Sequence, residues 1–409
     1  MASSRRIAGQ FAWASSSRIG AALLQAVLLA LAVRAVPPAE FGLLAAMLGI
    51  TTLLQTIFDM GVQTYTTRER AARGDVGAIA TALRFNGRTS LLLAAVAAAV
   101  IAGASWMIDP AFAFMLPLAV WVAAERTADV RLTIAFADGD VRGNAINLLS
   151  RRAFAIAIFL LLVALHVEAL LSYAIAVAAA AVGSSLFARA YVRGRVTAPP
   201  DITYRELLRA SWPYWLNSVA TQARNLDSAI TATFAGAVQA GYFSVASRLT
   251  SPLRILPTTL SSVLLPNAAK SSGSRRETLL LLRLAGLVWT LTTAIYLLII
   301  VIAPWGVPLV LGADYTGSVL AVQIVVAGLP FAALISLLSS VLQGRGRKHF
   351  VATVATVSVV VCLVMVALGA ALWGAEGAAL ALTLSFVGQA IAICAGFVKY
   401  VWNGAEEAK

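Results

Sequence analysis

The stretch FVATVATVSVVVCLVMVALGAAL, residues 350–372, holds no charged side chain, and after Trp373 and Gly374 a second stretch, AEGAALALTLSFVGQAIAICAGFVK, runs to Lys399. Coiled at 1.5 Å per residue, each is about 35 Å long and crosses a hydrocarbon core about 30 Å thick. A helix that is apolar all round has no water-facing side, so lipid is its solvent.

Working back toward the N-terminus, comparable runs predict spans at about 11–33, 41–62, 86–108, 112–136, 146–167, 169–191, 211–235, 241–266, 279–303 and 315–342, twelve with the two above. Apolar residues make up 60% of the 409 and charged residues 12%, with a mean hydropathy of +0.86; a soluble domain carries about a quarter charged residues. A water-soluble fold is excluded, and no stretch is left for a sizeable soluble domain. The expectation is an all-α, polytopic membrane protein of about twelve transmembrane helices. The apolar stretch from Ser17 to Ala35 resembles a signal peptide, but with eleven spans behind it, it reads as the first of them.

The net charge of +13 would point to nucleic acid in a soluble protein. Here the basic residues fall between apolar runs, where they report topology, because cytoplasmic loops carry the excess of Lys and Arg. With the N-terminus inside, 26 of the 31 basic residues lie on inner segments, among them Arg68, Arg70, Arg193, Arg195, Arg205, Arg209, Arg345 and Arg347. The outer loops hold Arg34 against Glu40, Asp109, Glu168, Asp314 and Glu376. Both termini are therefore expected in the cytoplasm. Cys362 and Cys394 sit inside apolar runs and read as small apolar side chains, and His166 and His349 are isolated from any cluster with metal-ligand spacing. Neither a metal nor a cofactor is expected, and no phosphate-binding loop with a Gly-Lys-Ser/Thr ending is present.

The longest inner connection, near 192–210, carries Pro199, Pro200 and four arginines and falls at the midpoint. It reads as a linker (196–210) between an N-terminal lobe (1–195) and a C-terminal lobe (211–409) of six helices each. A shift of 199 residues superimposes Trp13 on Trp212 and Gly42 on Gly241, and the Val167-Glu168-Ala169 and Ala375-Glu376-Gly377 turns precede the last helix of each half. Halves with an even number of spans are parallel repeats, which place a substrate path at their interface.

Several short motifs follow one another in a familiar order: Arg34-Ala35-Val36-Pro37-Pro38-Ala39-Glu40-Phe41-Gly42 after the first span, Asp59-Met60-Gly61 followed by Arg68-Glu69-Arg70-Ala71, and Ala240-Gly241-Tyr242-Phe243 with Leu264-Leu265-Pro266 in the second half. In these the chain resembles the polysaccharide-exporter and O-antigen flippase family of the multidrug/oligosaccharidyl-lipid/polysaccharide (MOP) superfamily, which also holds multidrug extrusion transporters and the peptidoglycan-precursor flippase. The resemblance covers the whole chain. It implies a MATE-like fold in a bacterial inner membrane and transport of an undecaprenyl-pyrophosphate-linked oligosaccharide by alternating access. It also implies no enzymatic activity, membrane lipids as surroundings, and polysaccharide polymerase and glycosyltransferases as partners. The alternatives are an ion-coupled exporter of small organic molecules and a peptidoglycan-precursor flippase, although members of the latter branch typically have fourteen spans. A membrane-embedded glycosyltransferase predicts a long charged outer loop, which the sequence lacks.

Charged residues within spans are the candidates for the site, since each costs about 2.5–3.5 kcal/mol to insert. Arg18, Arg224, Arg248 and Arg254 lie away from the inner belt, and a planar guanidinium suits a pyrophosphate. Their rival roles are snorkelling for Arg18, an ion pair of Arg224 with Asp227 at i+3, pairing of Arg248 with Asp227, and packing at the Pro257 kink for Arg254. Arg151 and Arg152 either reach an inner cavity or anchor to anionic lipid. Asp227 stands as a site for H+ or Na+ coupling or as charge balance. Asp59 stands as an ion-coupling or gating residue or as a helix cap, neutralised by Arg68 or the loop. Glu125 and Asp129 are read with Arg126 and Arg131 as a solvated salt-bridge ladder along one helix, or as a gate.

Overall fold

The computed structural model describes residues 2–71, 76–138, 140–255, 257–258, 261 and 275–402. Among them are thirteen α-helices and no strand. They are α1 (Ala2–Ala35), α2 (Pro38–Asp59), α3 (Val62–Ala71), α4 (Val76–Met107), α5 (Pro117–Ala137), α6 (Val141–Ala164), α7 (Ala169–Arg193), α8 (Tyr204–Gln222), α9 (Asp227–Ala235), α10 (Ala237–Leu249), α11 (Arg275–Leu311), α12 (Val319–Gly344) and α13 (Lys348–Phe397). Eight helical stretches among the described residues are long and apolar enough to cross a membrane, and the chain is a multi-pass membrane protein.

The helices turn apolar side chains outward as well as inward. On α4 the buried positions Asn86, Ser90, Leu93, Ala97 and Ile101 follow helical spacing and include two polar residues, while Leu91, 75% exposed, faces outward. An outward leucine is costly in water and at home among lipid tails, while Asn86 and Ser90 are turned inward.

Two predicted spans differ from what forms. The seventh, expected unbroken over 211–235, is α8, a 3-10 turn at Ala223–Leu226 and then α9. The eighth, expected over 241–266, is α10 followed by a 3-10 turn at Ser251–Arg254, beyond which only scattered residues are described. The region read as an inner loop after the second span also holds α3, and α4 starts ten residues before the predicted 86. In the linker region, α8 opens at Tyr204 behind a capping box: the Thr203 hydroxyl accepts from Glu206 N–H at 3.3 Å while the Glu206 carboxylate accepts from Thr203 N–H at 2.8 Å.

By packing, the chain forms two compact units. One comprises Met1–Val36 and Ala46–Leu226, the other Pro37–Ala45 and Asp227–Lys409. This division follows a different line from the repeat, giving α8 to the first unit and the opening turns of α2 to the second. In the first unit α5 packs on α4 and α7, α6 on α1 and α7, and α3 on α5 and α8. In the second, α12 packs on α11 and α13, and α9 and α10 pack on each other and on α13.

Helix α13 is a hairpin of two legs, broken where Trp373 (φ −137°, ψ 22°) and Gly374 (φ 59°, ψ −136°) leave helical geometry. Only glycine adopts the latter conformation without strain. The legs then touch backbone to backbone: a Cβ on Gly377 would collide with the Gly369 carbonyl, and one on Gly369 with the Gly377 carbonyl. The turn is closed from α10, whose Gln239 Oε1 accepts from Ala375 N–H at 2.9 Å. The equivalent turn of the first half closes from within. His166 (φ 59°) ends α6, Val167 N–H bonds back to Leu162 O at 3.0 Å, and Glu168 caps α7 by accepting from Leu170 and Leu171 N–H at 2.9 and 2.7 Å.

In the second unit the start of α2 crosses the start of α10. A Cβ on Gly42 would fall on the Ala237 carbonyl, and one on Gly241 on the Pro38 carbonyl. The shift of 199 that aligns Gly42 with Gly241 also aligns Pro38 with Ala237, so the contact is reciprocal, as across a two-fold axis.

Candidate functional site

The site grows from the end of α2. The last carbonyls of a helix have no partner within it and carry the negative end of its dipole. Here the Ile57 carbonyl accepts from Trp215 Nε1 of α8 at 3.0 Å, and the Phe58 carbonyl accepts from Arg126 Nη2 of α5 at 2.7 Å. Met60 (φ 49°) and Gly61 (φ 75°) then turn the chain into α3. A side chain on Gly61 would meet Trp215 N at 2.7 Å, so α8 lies directly on this corner.

Arg126 is 2% exposed, and its Nη1 also donates to Ser90 Oγ on α4 at 3.1 Å. Its Nε lies 3.8 Å from Asp59 Oδ1. That separation is an ion pair but too long for a hydrogen bond. Asp59 Oδ1 and Arg126 Nε are both buried and make no hydrogen bond. The other oxygen of Asp59 accepts from Gln63 N–H at 3.4 Å, so Asp59 caps α3.

One turn away a second set of charges joins α5 to α6. Arg151 forks between Asp129 Oδ1 at 2.9 Å and Glu125 Oε1 at 3.3 Å, and Arg152 Nη2 reaches Glu125 Oε1 at 3.1 Å. Arg151 and Glu125 are each 6% exposed. Three carboxylates and three guanidiniums thus meet on adjacent helices.

Beside them opens a cavity of about 410 Å³. Helix α2 contributes Gln55, Thr56 and Asp59, and α3 contributes Gln63. Arg126 and Asp129 come from α5, Ser218 and Gln222 from α8. Every one of these side chains is polar, inside a chain that is 60% apolar.

The structure redistributes the residues expected in a site. Asp59 is a cap, as one expected reading has it, but its facing cation is Arg126. Arg68 donates to the Tyr214 hydroxyl instead. Glu125, which is buried, and Asp129, which is half-buried, pair across to α6, which corrects the solvated ladder along one helix: rotation of the two helices turns Arg151 and Arg152 toward α5. The same pairing corrects the expectation that these two arginines reach an inner cavity or anionic lipid. Arg224 lies in the 3-10 turn before α9, and Asp227 opens α9 with its Oδ1 accepting from Ser228 N–H at 2.6 Å. The pair expected along one α-helix is therefore split between two kinds of turn. Arg248 Nη2 donates to the Ala45 carbonyl at 2.7 Å, and the Arg254 guanidinium lies 5.4 Å from the centre of the Phe386 ring. The side chain of Arg18 lies outside the described residues.

Sequence reasoning placed Arg126 in the ladder of α5 and not beside Asp59, and it passed over the amides Gln55, Gln63 and Gln222. For Gln55 a signal existed, since a glutamine well inside an apolar run needs a polar partner or a watery wall. Arg126 gave no sign of its partner, because it stands among other charged residues of α5.

Residues 7–272 match the sequence profile of a family described as polysaccharide biosynthesis protein. The sequence matches no curated protein. Among solved structures, the chain is similar to an inward-facing multidrug resistance MATE family transporter of the MOP superfamily (14% identity, 94% of this chain and 96% of that one, TM-score 0.76). It is also similar to the lipid II flippase MurJ in an inward closed conformation (12%, 94% and 87%, 0.70) and to a MOP superfamily transporter from Pyrococcus furiosus (14%, 96% and 95%, 0.65). At these identities the likeness shows the fold alone, which this chain shares with those transporters.

Proposed function

The chain belongs to the polysaccharide biosynthesis protein family, and from that membership we propose that it is a flippase moving an undecaprenyl-pyrophosphate-linked oligosaccharide across the bacterial inner membrane by alternating access. The observation that carries the reading is the cavity that, among the described residues, is lined by polar side chains inside a multi-pass membrane protein. A lipid carrier leaves its polyprenyl tail in the bilayer and needs such a path only for its head. On this reading twelve crossings leave both termini in the cytoplasm, an H+ or Na+ gradient drives the cycle, and no bond is made or broken.

Arg224, Arg248 and Arg254 are the proposed contacts for the pyrophosphate, because a guanidinium donates in bidentate fashion to phosphate oxygens. Arg151 and Arg152 are not, since their forks are occupied by Glu125 and Asp129. The test is a cell lacking the gene. It is expected to accumulate lipid-linked glycan on the cytoplasmic leaflet, with wild-type protein clearing it and Arg224→Ala clearing it at least tenfold more slowly. Normal glycan export in the deletion strain sinks the reading.

A further inference from the structure

The cavity beside Asp59 and Arg126 has a chemistry that selects among the parts of such a lipid, and resting on the flippase reading, we infer that it holds the uncharged, hydroxyl-rich glycan rather than the pyrophosphate. Charge is the first argument. The charged groups lining it are already opposed: Arg126 faces Asp59 at 3.8 Å, and Asp129 is held by Arg151 at 2.9 Å. Among the described residues that line it, no surplus of positive charge remains for a phosphate, whose oxygens would sit beside two carboxylates. A small cation is equally ill served, because the same carboxylates are neutralised and Arg126 stands in the wall.

The remaining capacity is neutral. Gln55, Gln63 and Gln222 bring amides, each with two donors and an acceptor, and Thr56 and Ser218 bring hydroxyls. Sugar hydroxyls both donate and accept, which is the demand this lining meets. A second observation lies at the floor. Asp59 Oδ1 and Arg126 Nε are buried there, an acceptor and a donor without hydrogen bonds. Buried polar atoms normally find partners, and a 3.8 Å gap between such groups is one that a hydroxyl can bridge.

The experiment uses the full chain in nanodiscs with two probes: lipid-linked oligosaccharide extracted from the host cells, and undecaprenyl pyrophosphate, which lacks the glycan. Glycan released from the same extract serves as competitor. Wild-type protein is expected to bind the glycolipid more tightly than the bare lipid and to lose that advantage to the free glycan. The volume-conserving double variant Gln55→Met/Gln222→Met is expected to weaken glycolipid binding about tenfold, two neutral hydrogen bonds being worth about that much, and to leave undecaprenyl pyrophosphate unchanged. Equal affinity of the wild-type protein for the two probes, or no competition by free glycan, overturns the inference and leaves the flippase reading standing; so does a variant that loses both probes alike. Failure of the wild-type protein to bind either probe overturns the flippase reading itself, and the inference with it.

Discussion

Between α5 and α6 the contact is made by charge, with Arg151 forked between Glu125 and Asp129 and Arg152 on Glu125. Between the two legs of α13 it is made by the absence of side chains, Gly369 lying on Gly377, and Gly396 on the Phe350 ring. In lipid neither pair gains from hiding apolar surface, because a leucine is as well placed against an acyl chain as against another helix. What remains is to satisfy polar groups or to bring backbones close. The first device is selective in partner and removable only as a pair; the second is selective in size and indifferent to charge.

The largest break is expected at the ionic contact. Arg151→Ala leaves half-buried Asp129 without its Arg151 partner and buried Glu125 with Arg152 alone, and unfolding in detergent should show a loss of about 3 kcal/mol. Pairing it with Asp129→Leu as Arg151→Met/Asp129→Leu should recover most of that, since paired removal leaves no orphan charge. No recovery would mean that α5 and α6 are held by something other than these pairs. On the glycine side, Gly377→Val drives a branched side chain into the Gly369 carbonyl and should cost about 1–3 kcal/mol by the same measurement. A second change on the facing leg should not restore it, because backbone occupies the space. Gln239→Ala uncaps the hairpin turn and should cost about 1 kcal/mol, read as a lower thermal midpoint.

The smallest effect sharpens the contrast by pH. Asp140 caps α6, and hydrogen bonds from the Tyr191 hydroxyl and Gly143 N–H hold its carboxyl below its ordinary value of 3.8. A depressed value means stability that is complete above about pH 4 and lost as the pH falls through the folded-state value. Asp140→Asn should therefore flatten the acid limb of a melting-temperature curve, while Gly377→Val should lower the curve without changing its shape.

The fold was legible wherever one residue type decided it. Runs such as 350–372 predict helices because their length and lack of charge leave no alternative, and the reversal at Trp373–Gly374 stands in the sequence as a glycine between two runs. The break at Ala223–Leu226 was not legible: hydropathy averages over a window longer than the four residues of that turn. Its local sign was Asp227 followed by Ser228, a pair suited to starting a helix. The site was legible in its residue types and not in its partners. Glu125 and Asp129 have the spacing for pairing along their own helix, and the choice of Arg151 and Arg152 depends on helix rotation, a tertiary property. Arg126 is recruited by the unpaired carbonyls ending α2, which exist only once that helix has stopped at Asp59.

The crossing of Gly42 with Gly241 bears on how such a chain changes over generations. At either position any side chain strikes the backbone of the other half, so no single substitution is free, and a matched pair of substitutions only doubles the collision. Drift can erase the likeness of the two halves nearly everywhere else first. A self-similarity reduced to a few residues can therefore still be read where Gly42 and Gly241 cross.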